Sequence, residues 1–283
     1  MLPNFDYLRP QTVQELTELL DKYKGESKIL AGGTDLLVLM RDKVLRPKYV
    51  IDIKGIEELH KISQDNGYLR IGATVTLNEL LKSDVVNERF KILCDAARAV
   101  ADSIIRNRAT LVGNICNASP AADTAPSLLV LGASVEVCGP SGERIIPINE
   151  FFTGVKKTAL ADEEFVEAVR IPIPPTGTKG VYFKHGRTRG EDLSIVGVAV
   201  LSSDSGRKVR IALSSVFKTP LYIPEAEEIF KKSWNLDEKI EQAVKLIKEK
   251  IAPITDVRAS AEYRTHMAEV LTRRALREIL KGE

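Results

Sequence analysis

The chain of 283 residues carries 41 basic and 39 acidic side chains, a formal charge of +2, with 44% hydrophobic and 28% charged content. That is enough apolar material for a buried core in one large domain or in two or three smaller ones. The signs nearly cancel, no basic block stands out and aromatics make up only 6%. The concentrated basic face that nucleic-acid binding needs is missing, and no nucleic-acid partner is expected.

The opening residues Met1-Leu2-Pro3-Asn4 lack both a basic n-region and an apolar h-region, and stretches such as 127–133 and 195–201 are too short to cross a bilayer. A cytoplasmic protein without a transmembrane segment is expected. Cys94, Cys116 and Cys138 are scattered and form no Cys-x-x-Cys pair. They predict neither a metal site nor a disulfide framework.

In chain order, residues 5–9 read as a short strand. Residues 12–23 read as a helix with Val13, Leu16, Leu19 and Leu20 on one face, and 27–31 as a buried strand running into Gly32-Gly33. Near Tyr68 the alternation of Leu69, Ile71 and Ala73 predicts another strand. Thr76 with Glu79 three positions on has the form of a helical capping box. An amphipathic helix covers 90–102, a hairpin turns around Gly139-Pro140-Ser141-Gly142, and 165–173 is a further strand. The clearest linker is Pro172-Ile173-Pro174-Pro175-Thr176-Gly177. Beyond it three strands (181–184, 194–201, 209–216) precede three helical stretches (224–231, 237–250, 258–280), the order of an α+β domain.

The sequence has no Gly-x-Gly-x-x-Gly, Walker loop, His-Glu-x-x-His or Gly-x-Ser-x-Gly. His60, His185 and His266 have no evident carboxylate or cysteine partner and read as structural or solvated. No catalytic side chain is assigned. Two segments stand out. In Leu30-Ala31-Gly32-Gly33-Thr34-Asp35-Leu36-Leu37 a strand empties into two glycines, which let successive N–H groups converge on an anion; an ordinary tight turn with Thr34 or Asp35 as a helix cap has the same composition. The run from Thr110 through Leu111, Val112, Gly113 and Asn114 to Asp123 is small and polar between apolar helical segments. It fits either a pocket wall of amides and short side chains or a surface loop with Asp123 or Thr124 capping the next helix. Two neutral, amide-rich loops can together bind a pyrophosphate without many lysines or arginines.

The pair Ala31-Gly32-Gly33-Thr34-Asp35 and Thr110-Leu111-Val112-Gly113-Asn114, followed by Ala118-Ser119-Pro120-Ala121-Ala122-Asp123, resembles the FAD-binding subunit of the molybdenum hydroxylases. That family includes xanthine dehydrogenase, aerobic carbon monoxide dehydrogenase, nicotinate dehydrogenase and 4-hydroxybenzoyl-CoA reductase. The resemblance covers essentially the whole chain. Arg187-Thr188-Arg189-Gly190-Glu191-Asp192 is similar to its basic turn, and Arg258-Ala259-Ser260-Ala261-Glu262-Tyr263-Arg264 to its terminal helix motif. The implied fold is α+β: two α/β subdomains (1–55 and 56–175) clamp FAD in the PCMH-type manner, followed by a C-terminal domain (176–283) with a three-stranded antiparallel sheet and helices. The resemblance implies that Leu30 to Leu37 meet the pyrophosphate and that Thr110 to Asn114 close over the other side. It also implies that Asp123 accepts from the ribityl hydroxyls, that Lys184 approaches the cofactor, and that Val100 and Val166 are apolar contacts.

FAD would be the only prosthetic group of this chain. The family implies a heterotrimer, repeated twice, with [2Fe–2S] clusters in a small subunit, a molybdenum–pterin cofactor in a large one, and NAD or a quinone as electron acceptor. Two other readings use the same loops: a self-contained flavin oxidoreductase, and a module that holds an adenine nucleotide without redox chemistry. The run Arg273-Arg274-Ala275-Leu276-Arg277 reads as a solvated helix face, and Arg258 and Arg264 as pins between the last helix and the flavin domain.

Overall fold

The computed structural model describes residues 1–188 and 191–281. The first fifty residues form β1 (Asp6–Leu8), α1 (Val13–Lys22), β2 (Ser27–Leu30), α2 (Leu36–Arg41) and β3 (Tyr49–Asp52), with the strands in a parallel sheet ordered β1-β3-β2. The hydroxyl of Thr12 accepts from the Glu15 amide at 3.1 Å and starts α1, whose Leu16 and Leu20, one turn apart, face the core. Parallel pairing needs a crossover connection, and α1 provides it. Parallel register also sets the ends of β2 and β3 side by side, with Leu30 opposite Asp52. The loops leaving those ends therefore emerge together, on the edge where open parallel sheets bind ligands.

Residues 62–172 add β4 (Ile62–Asp65), β5 (Tyr68–Gly72), α3 (Leu77–Lys82), α4 (Asp84–Arg89), α5 (Lys91–Ala99), α6 (Ser103–Arg106), α7 (Leu111–Cys116), α8 (Thr124–Leu131), β6 (Ser134–Gly139), β7 (Gly142–Pro147), α9 (Ile148–Phe151), the small hairpin β8 (Phe152–Gly154) and β9 (Lys157–Thr158), and β10 (Phe165–Pro172). The sheet runs β4-β5-β10-β6-β7 and is antiparallel throughout. Leu69 and Ile71 point from β5 into the core, while Arg70 between them turns to the other face and bridges Glu136 and Glu167 at 2.6 and 2.5 Å. The capping box at Thr76 and Glu79 forms as the sequence predicts.

The C-terminal part contains β11 (Lys179–His185), β12 (Val196–Ser203), β13 (Lys208–Ser214), β14 (Leu221–Tyr222), α10 (Ala226–Phe230), α11 (Leu236–Lys250) and α12 (Ala261–Leu280). Its antiparallel sheet has four strands, not three. The extra strand β14 is two residues long, too short for alternation to reveal. Period two decides how β12 divides the interior. Val196, Val198 and Val200 face one cluster, built with α11 and α12; Ala199 and Leu201 face the larger one, shared with the flavin half. All eight residues of α8 are buried, and the helix packs on α5 on one side and on β12 and β13 on the other. Truncating Leu128 at its centre costs about 2–5 kcal/mol by analogy with other fully buried leucines.

The last helix is held differently from the sequence expectation. Arg264 donates to the Ile195 and Ser215 carbonyls at 2.7 and 3.3 Å and to Asp256 at 2.7 Å, and Arg258 pairs with the same Asp256 at 2.5 Å. These arginines pin α12 to the loops of its own sheet, not to the flavin domain. Carbonyls at strand ends have no ladder partner, and a buried guanidinium satisfies several at once.

Candidate functional site

The two glycine segments meet backbone to backbone. A Cβ placed on Gly32 would stand 2.0 Å from the Arg108 carbonyl oxygen and 3.1 Å from the Ala109 Cα, so only glycine permits the approach. Gly33 has φ +78, which exposes the following amides on one side of the turn. Among the described residues, no acceptor takes the amide hydrogens of Gly32, Gly33, Thr34 or Asp35. Four successive amides without protein partners, on a turn open at its rim, form a cradle that can receive an anionic group. Ala31 to Thr34 are half-buried, Asp35 is open, and Leu37 exposes its side chain at the rim. The donor set fits the pyrophosphate of FAD.

The second segment departs from a plain loop. Residues 111–116 form α7, which Thr110 caps by accepting from the Gly113 amide at 2.9 Å. Composition hid this helix, because its residues are small and polar outside and Leu111, Val112 and Ile115 serve the core. Gly113 and Asn114 are half-buried on the opposite side. The Thr124 hydroxyl donates to the Asn114 amide oxygen at 2.6 Å and fixes that side chain against α8.

Beneath the first loop, the three strands of the parallel sheet end in one network. Buried Asp52 accepts from the Tyr7 hydroxyl at 2.5 Å and from the Lys54 ammonium at 2.6 Å, and Lys54 also donates to the Ala31 carbonyl at 3.2 Å. Burial alone would raise the Asp52 pKa; the bonds from Lys54 and Tyr7 outweigh it and hold it below the ordinary value. Sequence reasoning missed Tyr7, Asp52 and Lys54.

Asp123 and Lys184 come together. Asp123 occupies the N-cap position of α8 but makes no cap bond. Its carboxylate accepts instead from Lys184 and from the Tyr182 hydroxyl, at 2.8 and 2.9 Å, and Lys184 also donates to the Ala99 carbonyl at 2.8 Å. Burial raises the Asp123 pKa, and the Lys184 charge pulls against it. Val166 sits on β10, 3% exposed and within the core, and Val100 is half-buried at the end of α5.

His60 has a carboxylate neighbour after all: its Nε2 is 3.2 Å from Glu79, and its Nδ1 is 3.2 Å from the Thr74 hydroxyl. His185 Nε2 stands 3.0 Å from the Tyr263 hydroxyl. In the basic turn Arg187 pairs with Asp192, whose pKa it lowers to about 2, while Arg189 and Gly190 lie outside the described residues. Among the described residues, no three His, Cys, Asp or Glu stand together as a metal would require, and no helix is long and apolar enough to cross a membrane.

Residues 3–174 match the family model of the FAD binding domain in molybdopterin dehydrogenase, and residues 181–279 match that of the CO dehydrogenase flavoprotein C-terminal domain. The carbon monoxide dehydrogenase medium chain of Afipia carboxidovorans is 34% identical, over 98% of this chain and 97% of its own. The xanthine dehydrogenase FAD-binding subunit of Escherichia coli O157:H7 is 31% identical, over 96% and 94%. Among solved structures, the cyanide-inactivated Cu,Mo-CO dehydrogenase superposes with a TM-score of 0.95 at 34% identity, covering 99% of each chain. Quinoline 2-oxidoreductase from Pseudomonas putida 86 gives 0.92 at 28% identity, covering 100% of this chain and 99% of that one. With the paired glycine segments and the α+β architecture, these similarities establish that the chain belongs to the FAD-binding subunits of the molybdenum hydroxylase family and is an oxidoreductase flavoprotein subunit.

Proposed function

We propose that the chain holds one FAD with its pyrophosphate against Leu30 to Leu37 and its ribityl–diphosphate segment against Thr110 to Asn114. In this reading it carries electrons between [2Fe–2S] clusters of a small partner subunit and NAD or a quinone. The observation that carries the cofactor placement is the run of four amides without acceptors at Gly32 to Asp35, with Gly32 pressed against Arg108 and Ala109 just before the second segment. FAD, when bound, exchanges electrons singly with clusters and in pairs with a hydride acceptor. The protein's own groups bind and orient. The loop amides neutralise phosphate charge, and Lys54, paired with Asp52, braces the loop by donating to the Ala31 carbonyl. Asp123 and Lys184, mutually compensating at 2.8 Å, offer a polar wall for the ribityl hydroxyls that does not add net charge. Val166 and Val100 are assigned as apolar cofactor contacts, and no side chain is assigned as acid, base or nucleophile.

The division into residues 1–55, 56–175 and 176–283 belongs to the same proposal, with the first two parts clamping the cofactor. So do a cytoplasmic location and a large molybdenum–pterin subunit as the third partner. The relatives' designation as medium chains and subunits supports a multi-subunit assembly. The test is affinity purification of the full tagged chain from its source cells. Two further polypeptides, molybdenum and iron are expected to elute with it. A flavoprotein that elutes alone, without either metal, would make it a self-contained oxidoreductase instead.

A further inference from the structure

We infer that Asn117 and Lys156 form a charge-compensating clasp that lets the first glycine loop accept a pyrophosphate beside its own aspartate. The inference rests on the FAD placement proposed above. Asp35 directly follows the free amides of the cradle, and a carboxylate there repels a dianionic ligand. It does not cap α2. Its Oδ1 accepts instead from the side-chain amide of Asn117 at 2.6 Å, across to the end of α7. The Asn117 oxygen in turn accepts from the Lys156 ammonium at 2.8 Å. Lys156 stands in the turn between β8 and β9, and its backbone amide donates to the Ala118 carbonyl at 3.0 Å. Three segments remote in sequence are therefore joined by one chain of hydrogen bonds with an anion at one end and a cation at the other.

Two non-glycine residues at the joint, Ala118 and Lys156, have left-handed backbones with φ +46 and +58, conformations that surrounding contacts must sustain. Removal from water lowers the Lys156 pKa while Asp35 raises it, which ties the two charges electrostatically as well as through Asn117. The clasp thus offsets the Asp35 charge at the cradle and locks the two glycine segments in register. Lys156 and Asn117 are positioning residues: they act on the cofactor through Asp35 and the loop.

The test titrates FAD into the apo form of the full chain and reads quenching of flavin fluorescence, with the melting temperature of each apo variant as a control for folding. Lys156→Met is expected to weaken FAD binding about tenfold, the scale of one lost charge-assisted contact, while leaving the apo melting temperature within about 2 °C. Adding Asp35→Asn to Lys156→Met is expected to restore affinity to within about threefold of wild type, because the uncompensated charge is then gone. A double variant weaker than Lys156→Met alone would overturn the inference and make Asp35 a direct ligand. Wild-type affinity in Lys156→Met would overturn the clasp and leave the FAD placement standing. A wild-type chain that takes up no FAD would remove both.

Discussion

Four successive amides at Gly32 to Asp35 reach no acceptor among the described residues, whereas in the C-terminal domain Arg264, 1% exposed, directs both terminal nitrogens to carbonyls and a carboxylate. Both regions concentrate polar groups, half-buried to exposed in the cradle and gathered around the fully buried Arg264 in the other. In the C-terminal clamp the polar groups mostly answer one another: Asp256 serves Arg258 and Arg264 together, and of the three Arg264 nitrogens only the buried Nε has no partner. In the cradle the donors lie half-buried to exposed beside an open rim, with the nearest charges held in pairs. Half-buried amides without a protein acceptor still reach solvent, so such a run stays open to an acceptor from outside the chain, whereas a fully buried donor left unpaired costs roughly 1–3 kcal/mol. The comparison separates groups that build the fold from groups that await a ligand.

The largest effect should come from the clamp. Arg264→Ala leaves the Ile195 and Ser215 carbonyls without their partner and Asp256 with Arg258 alone, and is expected to destabilise the chain by about 3–5 kcal/mol, read from urea denaturation. FAD affinity in the folded fraction should stay near wild type. A folded variant that had lost FAD binding would break the comparison, because the clamp would then reach the cradle. A smaller, pH-dependent effect follows from Asp256. The bond from Arg258 leads in holding its folded-state pKa below the ordinary 3.8. Its contribution is therefore complete above that ordinary value and lost as pH falls through the lowered one. The stability gap between wild type and Asp256→Asn should be constant from about pH 7 to about pH 5 and begin to narrow below about pH 4. A gap undiminished at about pH 3 would mean that the Asp256 charge does not hold the clamp.

Legibility in the sequence followed the range of the interactions. Local ones were readable: Leu16 and Leu20 on one face of α1, the Thr76–Glu79 capping box, the alternation that sends Leu69 and Ile71 into the core. The two cofactor segments were readable as motifs, because glycine at a close backbone approach leaves a mark in sequence. What joins them was not. Asp35 and Asn117 are 82 positions apart, and Asn117 and Lys156 are 39 apart, with nothing in the residue types to announce either bond. Helix α7 was hidden because a small-polar outer face looks like a loop, and β14 because two residues cannot show a period. Arg264 was placed on the wrong partner for a related reason: a motif identifies the residue but not the carbonyls that tertiary packing brings to it.

The most direct test of the central claim is the visible absorption spectrum of the purified full chain titrated with FAD, beside Gly32→Ala. Wild type should develop oxidised-flavin bands that bleach on reduction, and should release FAD on denaturation. In Gly32→Ala a methyl 2.0 Å from the Arg108 oxygen must push the two loops apart, and affinity should fall about a hundredfold or more for a stability cost of about 1–3 kcal/mol. Equal FAD uptake by both proteins would place the cofactor elsewhere and contradict the account of the cradle. A well-folded wild type that stays colourless would contradict the assignment of FAD to this chain.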